Sequence, residues 1–303
     1  ILFRKAQAYA NGKRTIVKKS GREVVESDYF SKVLNTPNFI QSQLQFETQK
    51  YFYIQAYGYC PVLKVKLGFD EIYSRWILPP NMVDIEFSKD VPFYKKNTAE
   101  TIVSIKLKTD QNNQILLDKN QVYIYTDITA INEDGYLPMS RLSSLKNPIN
   151  NLISNYKSRK RIISKPYGIL SNQAKDNISS IPIDPKEVEI VQKALNKYGT
   201  DDGQYDTLIT NATLQWTQLM YPIRELQLLE MQSVDTQTCC DVLGYPYDLL
   251  SKDKGTTFNN KEFGGKELYQ DFIIPDTLNL DQQDDECLEL IGTGKNVKTT
   301  FDH

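Results

Sequence analysis

Histidine and cysteine, two residue types that often carry out catalysis, are scarce in this sequence. Its single histidine, His303, is the last residue, so histidine-based zinc sites, Ser-His-Asp triads and Cys-His dyads lack their central member. The four cysteines have no CxxC spacing, and we expect them to be buried, reduced thiols. They are Cys60, Cys239, Cys240 and Cys287. The sequence therefore predicts neither a zinc site nor a histidine-dependent nucleophile.

A glycine-rich stretch at 292–295 (GTGK) has part of the pattern of a phosphate-binding loop. The full pattern requires a glycine five residues before Gly294, where Glu289 stands, and a serine or threonine after the lysine, where Asn296 stands. The third glycine of a dinucleotide fingerprint is missing as well. We therefore predict no nucleotide site and no cofactor.

Four acidic residues near the C-terminal end offer the oxygen ligands that a hard cation prefers. They are Asp281, Asp284, Asp285 and Glu286. Their spacing does not match an EF-hand loop, and no glycine supplies the sharp turn. We expect a solvated acidic face and no bound metal, although a metal site here stays open as an alternative.

A basic run lies in the middle of the chain and has the composition of a nucleic-acid patch. Its members are Lys157, Arg159, Lys160, Arg161 and Lys165. Cations are also favourable at the C-terminal end of a helix, where they complement the helix dipole. We favour this second interpretation, a solvated helix end.

Composition limits the class of protein. The 303 residues are 40% hydrophobic and 24% charged, which is typical of a folded chain and not of a disordered one. Basic and acidic residues nearly balance, with a net charge of −2, which argues against a protein that grips nucleic acid over its whole surface and leaves contact through a local patch open. No run approaches the ~18 apolar residues of a membrane span. The chain opens at Ile1 without a methionine, and we expect both ends of a longer protein to be missing.

The pattern of residues 1–140 indicates a β-rich region with at least one helix. Apolar residues from Phe39 to Tyr57 recur with helical spacing, and Gly58 follows as a stop signal. Alternating residues predict short strands, which favour antiparallel pairing. The predicted strands are 61–67 (PVLKVKL), 75–78, 101–108 (TIVSIKLK) and 122–128 (VYIYTDI).

Beyond residue 140 the pattern favours helices. Asn147 and Pro148 predict the N-cap and first residue of a helix that runs to Arg161. We expect turns around Gly168 and Asn172. The remaining predictions are a helix with a capping box at 184–187, strands at 205–210 and 214–221, a long helix from Pro222 to the stop at Gly244, a polar loop at 251–260, and a last helix that carries Phe263 and is ended by Pro275. We expect Trp76 and Trp216 to be core aromatics.

Several segments, read together and in order, resemble phage portal proteins of the HK97 type. The segments are 35–60, which begins NTPN and ends YGYC, 76–80 (WILPP), 140–171, 221–230 (YPIRELQLLE), 240–250 (CDVLGYPYDLL) and 273–275 (IIP). Each segment alone is weak, whereas the collinear set is fairly specific. The sequence departs from relatives at 125–127 (YTD), where histidine and arginine are frequent, and relatives usually continue past the position of His303.

The resemblance implies an α+β subunit with a β-rich wing, two long stem helices, an α/β clip, and a tunnel loop followed by a helix. The implied regions are a wing at 1–140, a first stem helix at 141–164, a clip at 165–221, a second stem helix at 222–250, a tunnel loop at 251–262, and a wing or crown-proximal helix at 263–303.

The resemblance also assigns roles to individual residues. The DNA-proximal tunnel-loop residues would be Lys252, Lys254, Gly255 and Lys261. The stem residues would be Ile149, Leu152, Tyr156, Arg159, Leu226 and Leu229. The clip residues that contact other subunits or an adaptor would be Asp184, Pro185, Tyr205 and Trp216. No catalytic residue, metal or cofactor is implied.

The implied assembly is a ring, usually of twelve subunits, at the portal vertex of a virion after assembly in the host cytoplasm. Its partners would be the major capsid protein, the terminase large subunit, the head-tail adaptor and the double-stranded DNA that passes through, with no membrane. A nearly neutral subunit suits a conduit, because each neutralised phosphate would tighten a salt-sensitive grip on DNA. Two alternatives stay open: a metal-dependent nucleic-acid-processing enzyme with its metal at the Asp281 cluster, and a capsid or tail structural protein without a channel.

Overall fold

The computed structural model describes residues 1–19, 29–67, 71–88, 101–109, 113–131, 136–164, 168–172, 186, 189, 214–218, 228–250 and 258–301. The chain forms two compact units, of which the first contains Ile1–Lys146 and Cys239–His303 and the second contains Asn147–Thr238. The chain therefore crosses from one unit to the other twice.

The first unit begins with a helix, a strand and two further helices. They are α1 (Leu2–Ala10), β1 (Lys13–Lys18), α2 (Tyr29–Asn35) and α3 (Gln43–Tyr57). A capping box opens α3, because the Ser42 side chain accepts from the Gln45 backbone N–H while Gln45 reaches back to Ser42. Gly58 closes α3 in the left-handed conformation, with φ of 85°. The predicted helix and its stop are confirmed, although Phe39 and Ile40 lie before its first turn.

The strands of the first unit form three small antiparallel sheets. The strands are β2 (Tyr59–Leu67), β3 (Glu71–Ile77), β4 (Val83–Phe87), β5 (Ile102–Lys108), β6 (Gln114–Leu117), β7 (Val122–Thr126) and β10 (Lys295–Thr300). The sheet orders are β3-β2-β7, β4-β5-β6 and β1-β10. The antiparallel pairing predicted for this β-rich region is confirmed. The pairing of β1 with β10 joins the two ends of the chain and has no local signal in the sequence.

The main core of the first unit lies where α1 and α3 pack on the sheet that contains β2 and β7. Tyr9 stacks on Tyr51 with their ring centroids 4.2 Å apart. The other buried members of this core are Ala6, Phe46, Ile54, Cys60, Val62, Tyr125, Tyr245, Leu268, Ile273, Leu280 and Cys287. All four cysteines are free and buried, as predicted.

The last helical region of the first unit is longer than the sequence pattern predicts. It comprises α6 (Phe258–Glu267), a π-helical turn (Leu268–Ile273) and α7 (Ile274–Cys287) in direct succession. The prediction that Pro275 ends this helix was wrong. Proline removes only one backbone donor, and the π-helical turn before it already uses a wider hydrogen-bond spacing, so the chain remains helical beyond it.

In the second unit the structure describes two helices and a strand pair. The helices are α4 (Lys146–Ser164), whose first residue belongs to the first unit, and α5 (Leu228–Leu243), whose last five residues do. The predicted start of this helix, with Asn147 as N-cap, was wrong by two residues, because a short 3-10 turn at Ser143–Leu145 leads directly into α4 at Lys146. Gly244 follows α5 with φ of 61°, which confirms the predicted stop.

The strand pair corrects a second prediction. Gly168 and Asn172 are the two end residues of a strand, β8 (Gly168–Asn172), and are not turns. β8 pairs antiparallel with β9 (Leu214–Gln218), which lies within the predicted strand 214–221; the other strand predicted here is 205–210. That predicted strand lies outside the described residues, as do 251–257 and most of the helix predicted at 184. None of the helices in the described part of the chain has the length and apolar character needed to cross a bilayer.

Candidate functional site

The acidic cluster predicted to be a solvated face is instead the centre of a buried charge network. Asp284 on α7 has no exposed surface. Its carboxylate accepts hydrogen bonds from Arg14 on β1, from the Lys50 ammonium on α3 at 3.0 and 3.2 Å, and from the Tyr125 hydroxyl on β7 at 2.6 Å. Arg75 on β3 lies 3.6 Å from the same carboxylate. The prediction of a solvated face was wrong for Asp284, because α7 packs into the core and carries this carboxylate with it, whereas Glu286 is exposed.

The cations around Asp284 outweigh the cost of burying it. Burial alone would raise the pKa of Asp284, but Lys50, Arg14 and Arg75 hold that pKa well below its usual range. Glu47 contributes a second buried carboxylate, 3.2 Å from Arg14 and 2.8 Å from Lys50. The network therefore sets three cations against two carboxylates, and Asp284 stays ionised in the folded protein.

The other acidic residues of the cluster fasten neighbouring strands to α7. Asp281 accepts from the Thr299 backbone N–H at 2.9 Å and from its hydroxyl at 2.6 Å, and burial raises the pKa of Asp281 to about 6. Asp285 accepts from the Val297 backbone N–H at 2.5 Å. Glu286 accepts from the Tyr123 hydroxyl at 2.7 Å.

This arrangement leaves the cluster little capacity for a metal ion. The charge of Asp284 is already neutralised by protein cations, and the other three carboxylates are engaged by backbone and hydroxyl donors. Within the described ranges, no group of three or more potential ligands is placed to hold a metal. The cluster therefore positions β1, α3, β3, β7 and β10 around α7, which is a structural task.

A groove of about 580 Å³ lies between α1 and α3, lined by Phe3, Gln7, Asn11, Ile40, Gln41, Leu44, Gln45, Thr48, Gln49, Phe52 and Tyr53. None of these side chains is charged, so the groove has no carboxylate to act as a general base and no cation to bind phosphate. The groove surface is mainly apolar, and side-chain amides are among its polar groups.

In the second unit, two predicted stem residues of α4, Tyr156 and Arg159, bind the same side chain of α5. The Arg159 guanidinium on α4 donates to the Gln232 amide oxygen on α5 at 2.9 Å, and the Gln232 amide nitrogen donates to the Tyr156 hydroxyl at 3.0 Å. The sequence analysis missed Gln232, because an isolated glutamine carries no positional signal. Apolar side chains remain exposed on the same pair of helices, including Met231 at 51% and Val234 at 62%.

The remaining predicted site residues divide into three groups. Ile149 and Leu152 are half-buried on α4. Trp216 lies on β9 opposite Leu170, Leu229 lies on α5, and Lys261 is an exposed residue of α6 rather than of a loop. Those outside the described residues are Asp184, Pro185, Tyr205, Leu226, Lys252, Lys254 and Gly255.

Comparison with known proteins gives one family and a consistent fold. The model of the family described as "Phage portal protein" matches residues 5–303. No curated protein matches the sequence.

Among solved structures, the neck of an empty GTA particle computed with C6 symmetry aligns at a TM-score of 0.70 and 12% identity, covering 100% of this chain and 80% of that one. The neck of a native GTA particle computed with C12 symmetry aligns at 0.65 and 12% identity, covering 100% and 79%. An HK97 family phage portal protein from Corynebacterium diphtheriae aligns at 0.66 and 10% identity, covering 99% and 91%. At these identities the likeness establishes the fold.

Proposed function

This chain belongs to the phage portal protein family, and we propose that copies of it form a closed ring whose central channel passes double-stranded DNA at one vertex of a capsid. The observation that carries the proposal is the family match, which extends over residues 5–303. The fold shared with an HK97 family portal protein supports it. The family is structural, so the chain is a structural protein and not an enzyme.

Ring closure requires two different surfaces on each copy, because head-to-tail contacts are heterologous. The C12 symmetry of one matching neck structure supports twelve subunits for the proposed ring. The exposed apolar side chains of α4 and α5, such as Ile153, Met231 and Val234, suit burial against a neighbouring copy.

The regional roles follow from the same proposal. Helices α4 and α5 would be the stem, and residues 165–221 the clip that contacts the terminase large subunit during packaging and the head-tail adaptor afterwards. Within the described residues, β8 and β9 form a two-stranded sheet, and strand addition at a sheet edge supplies backbone hydrogen bonds without a large apolar patch. The wing would face the major capsid protein at the portal vertex of the virion, after assembly in the host cytoplasm.

Contact with DNA in the proposed channel would be weak and exchangeable. The net charge of −2 opposes a tight grip on a polyanion. Lys252, Lys254 and Lys261 would meet passing phosphates as weak, exchangeable point charges, with Gly255 in the same proposed tunnel loop. The exposure of Lys261 on the first turns of α6 is consistent with this role.

Ring formation is tested by native mass spectrometry and negative-stain imaging of the purified chain over a range of concentrations. We expect rings of about twelve subunits. Val234→Asp, which places a charge on the exposed apolar surface of α5, should shift the population towards monomers. Gln237→Asp adds the same charge at an exposed polar position of α5 and serves as the control. A monodisperse monomer at every wild-type concentration would refute the ring.

The tunnel-loop assignment is tested separately with Lys252, Lys254 and Lys261 changed to serine. We expect these rings to assemble normally and to change DNA packaging or retention in a salt-dependent way. The control changes three exposed lysines elsewhere to serine. They are Lys13 on β1, Lys19 directly after β1, and Lys298 on β10. Equal retention by the loop variant and the wild type at all salt concentrations would reject the electrostatic role while leaving the ring intact.

A further inference from the structure

The chain leaves the first unit once and returns to it once. The charged groups near these two crossings face the same side chain. The chain leaves this unit after Lys146 and returns at Cys239. Arg141 lies shortly before the exit, and Leu243, the last residue of α5, lies shortly after the return. Arg141 contacts Asp276, in the first turn of α7, directly, whereas Leu243 is linked to Asp276 through Lys5.

Asp276 is buried and has partners on several elements. Its Oδ1 lies 3.4 Å from Nη2 of Arg141, and its Oδ2 lies 3.6 Å from Nζ of Lys5 on α1. The Tyr51 hydroxyl donates to Oδ2 at 2.5 Å, and the Gln55 amide donates to it at 3.4 Å. One carboxylate therefore faces a cation from each side.

The Arg141 side of this arrangement fixes the segment that leads out of the unit. Arg141 donates through Nε and Nη2 to the two oxygens of Asp127, at 2.7 Å each. Asp127 directly follows β7, so the fork ties the exit segment to the sheet. A bidentate pair of this kind holds the guanidinium in one orientation. In that orientation its Nη2 also lies near Oδ1 of Asp276.

The Lys5 side fixes the segment that returns. Lys5 has no exposed surface, and its ammonium donates to the Leu243 carbonyl at 2.9 Å. This carbonyl lies in the last turn of α5, where it has no N–H partner in the helix. The ammonium therefore caps the returning helix. Burial lowers the pKa of Lys5 to about 8, although the negative charge of Asp276 acts to raise it.

We propose that Asp276 couples the two crossings, so that loosening the contact at one of them changes the stability of the other. Arg141 and Lys5 share a single buried carboxylate, and a buried charge that loses its partner is strongly unfavourable. A shift of either cation therefore alters the balance of charge at the other. The segments that lead out of the first unit and back into it are therefore linked to one buried carboxylate. This inference does not depend on ring assembly.

The proposal is tested by amide hydrogen exchange of the full chain, followed at residues 142–150 and 239–246. Asp276→Asn should speed exchange at both segments by about fivefold or more, the lower end of typical couplings between sites. Asp271→Asn, an exposed carboxylate on the π-helical turn next to α7, is the matched control and should change neither. Faster exchange at only one segment, or at neither, would overturn the proposal.

Two milder variants give an independent readout if Asp276→Asn does not fold. Lys5→Met keeps the apolar stem and removes the ammonium, and Arg141→Gln removes the guanidinium. Coupling predicts that Lys5→Met also changes the exchange rate at 142–150 and that Arg141→Gln also changes it at 239–246. Three results would show that Asp276 is a local or general stabiliser only. They are effects confined to the segment nearest each substitution, additive changes in exchange when Lys5→Met and Arg141→Gln are combined, or a uniform increase in exchange across the first unit.

Discussion

Replacing Asp284 by asparagine should destabilise the first unit more than any exposed carboxylate change. The substitution keeps the shape of the side chain and removes its charge. Three buried cations, Arg14, Lys50 and Arg75, would then face Glu47 as the remaining carboxylate of the network. The asparagine amide would also direct two N–H donors towards groups that are themselves donors.

The magnitude follows from the burial of the network. Removing one partner of a buried ion pair costs about 3–5 kcal/mol, because the other charge stays buried and uncompensated. For a unit of this size each kcal/mol lowers the Tm by roughly 2–4 °C, so Asp284→Asn should lower it by about 6–20 °C. Asp271→Asn, which is exposed, should change the free energy of unfolding by less than about 0.5 kcal/mol.

Urea unfolding followed by tryptophan fluorescence measures this difference. Trp76 lies on β3 in the first unit and Trp216 on β9 in the second, so a Trp216→Phe background makes the signal report on the first unit. A loss below about 1 kcal/mol would refute the view that the charge of Asp284 holds the network together.

The pH dependence gives a second criterion for Asp284. Its pKa is lower in the folded state than the ordinary value of 3.8, so its contribution to stability is present above that value and is lost as the pH falls below it. The difference in stability between wild type and Asp284→Asn should therefore shrink in acid. A difference that is constant from pH 5 to pH 2 would contradict the assignment.

Two further predictions concern the same unit. The pKa of Asp281 is raised from 3.8 to about 6, so its contribution to stability falls as the pH rises from 3.8 to about 6. The fall is about 3 kcal/mol, at about 1.4 kcal/mol per pKa unit. The difference in unfolding free energy between wild type and Asp281→Asn should follow this fall, and a difference that does not change with pH would contradict it. At Gly244, φ is 61° and an added Cβ would lie 2.4 Å from the Phe272 ring, so Gly244→Ala should cost at least about 1–2 kcal/mol. Gly265 has open space and no positive φ, so Gly265→Ala should instead stabilise α6 by about 0.5–1 kcal/mol; calorimetry of the two alanine variants should give Tm changes of opposite sign.

Features whose signals lie within a few residues of each other could be predicted from the sequence. Gly58 and Gly244 end their helices in the left-handed conformation that only glycine adopts without strain. The alternation at 61–67 and 101–108 matches β2 and β5, because successive side chains of a strand face opposite sides. The resemblance to phage portal proteins could also be found in the sequence, because each portal-like segment is short and its residues are close together in the chain.

Features that depend on distant partners could not be predicted. Nothing near Lys50, Asp284 or Asp276 in the sequence shows that these charges are buried, because burial depends on which helix packs against which sheet. The strand at Gly168–Asn172 looked like two turns, since its partner Leu214–Gln218 is far along the chain.

The sequence by itself determined several helices, strands and helix ends and which family the chain resembles, because backbone preferences and short motifs act over a few residues. The tertiary structure alone decided the role of the acidic cluster. Asp281 and Asp284 have the same residue type and nearly the same position in the chain, yet burial raises the pKa of Asp281 whereas three cations lower that of Asp284. The difference lies in the neighbours that packing brings to each carboxylate, and those neighbours come from β1, α3 and β3.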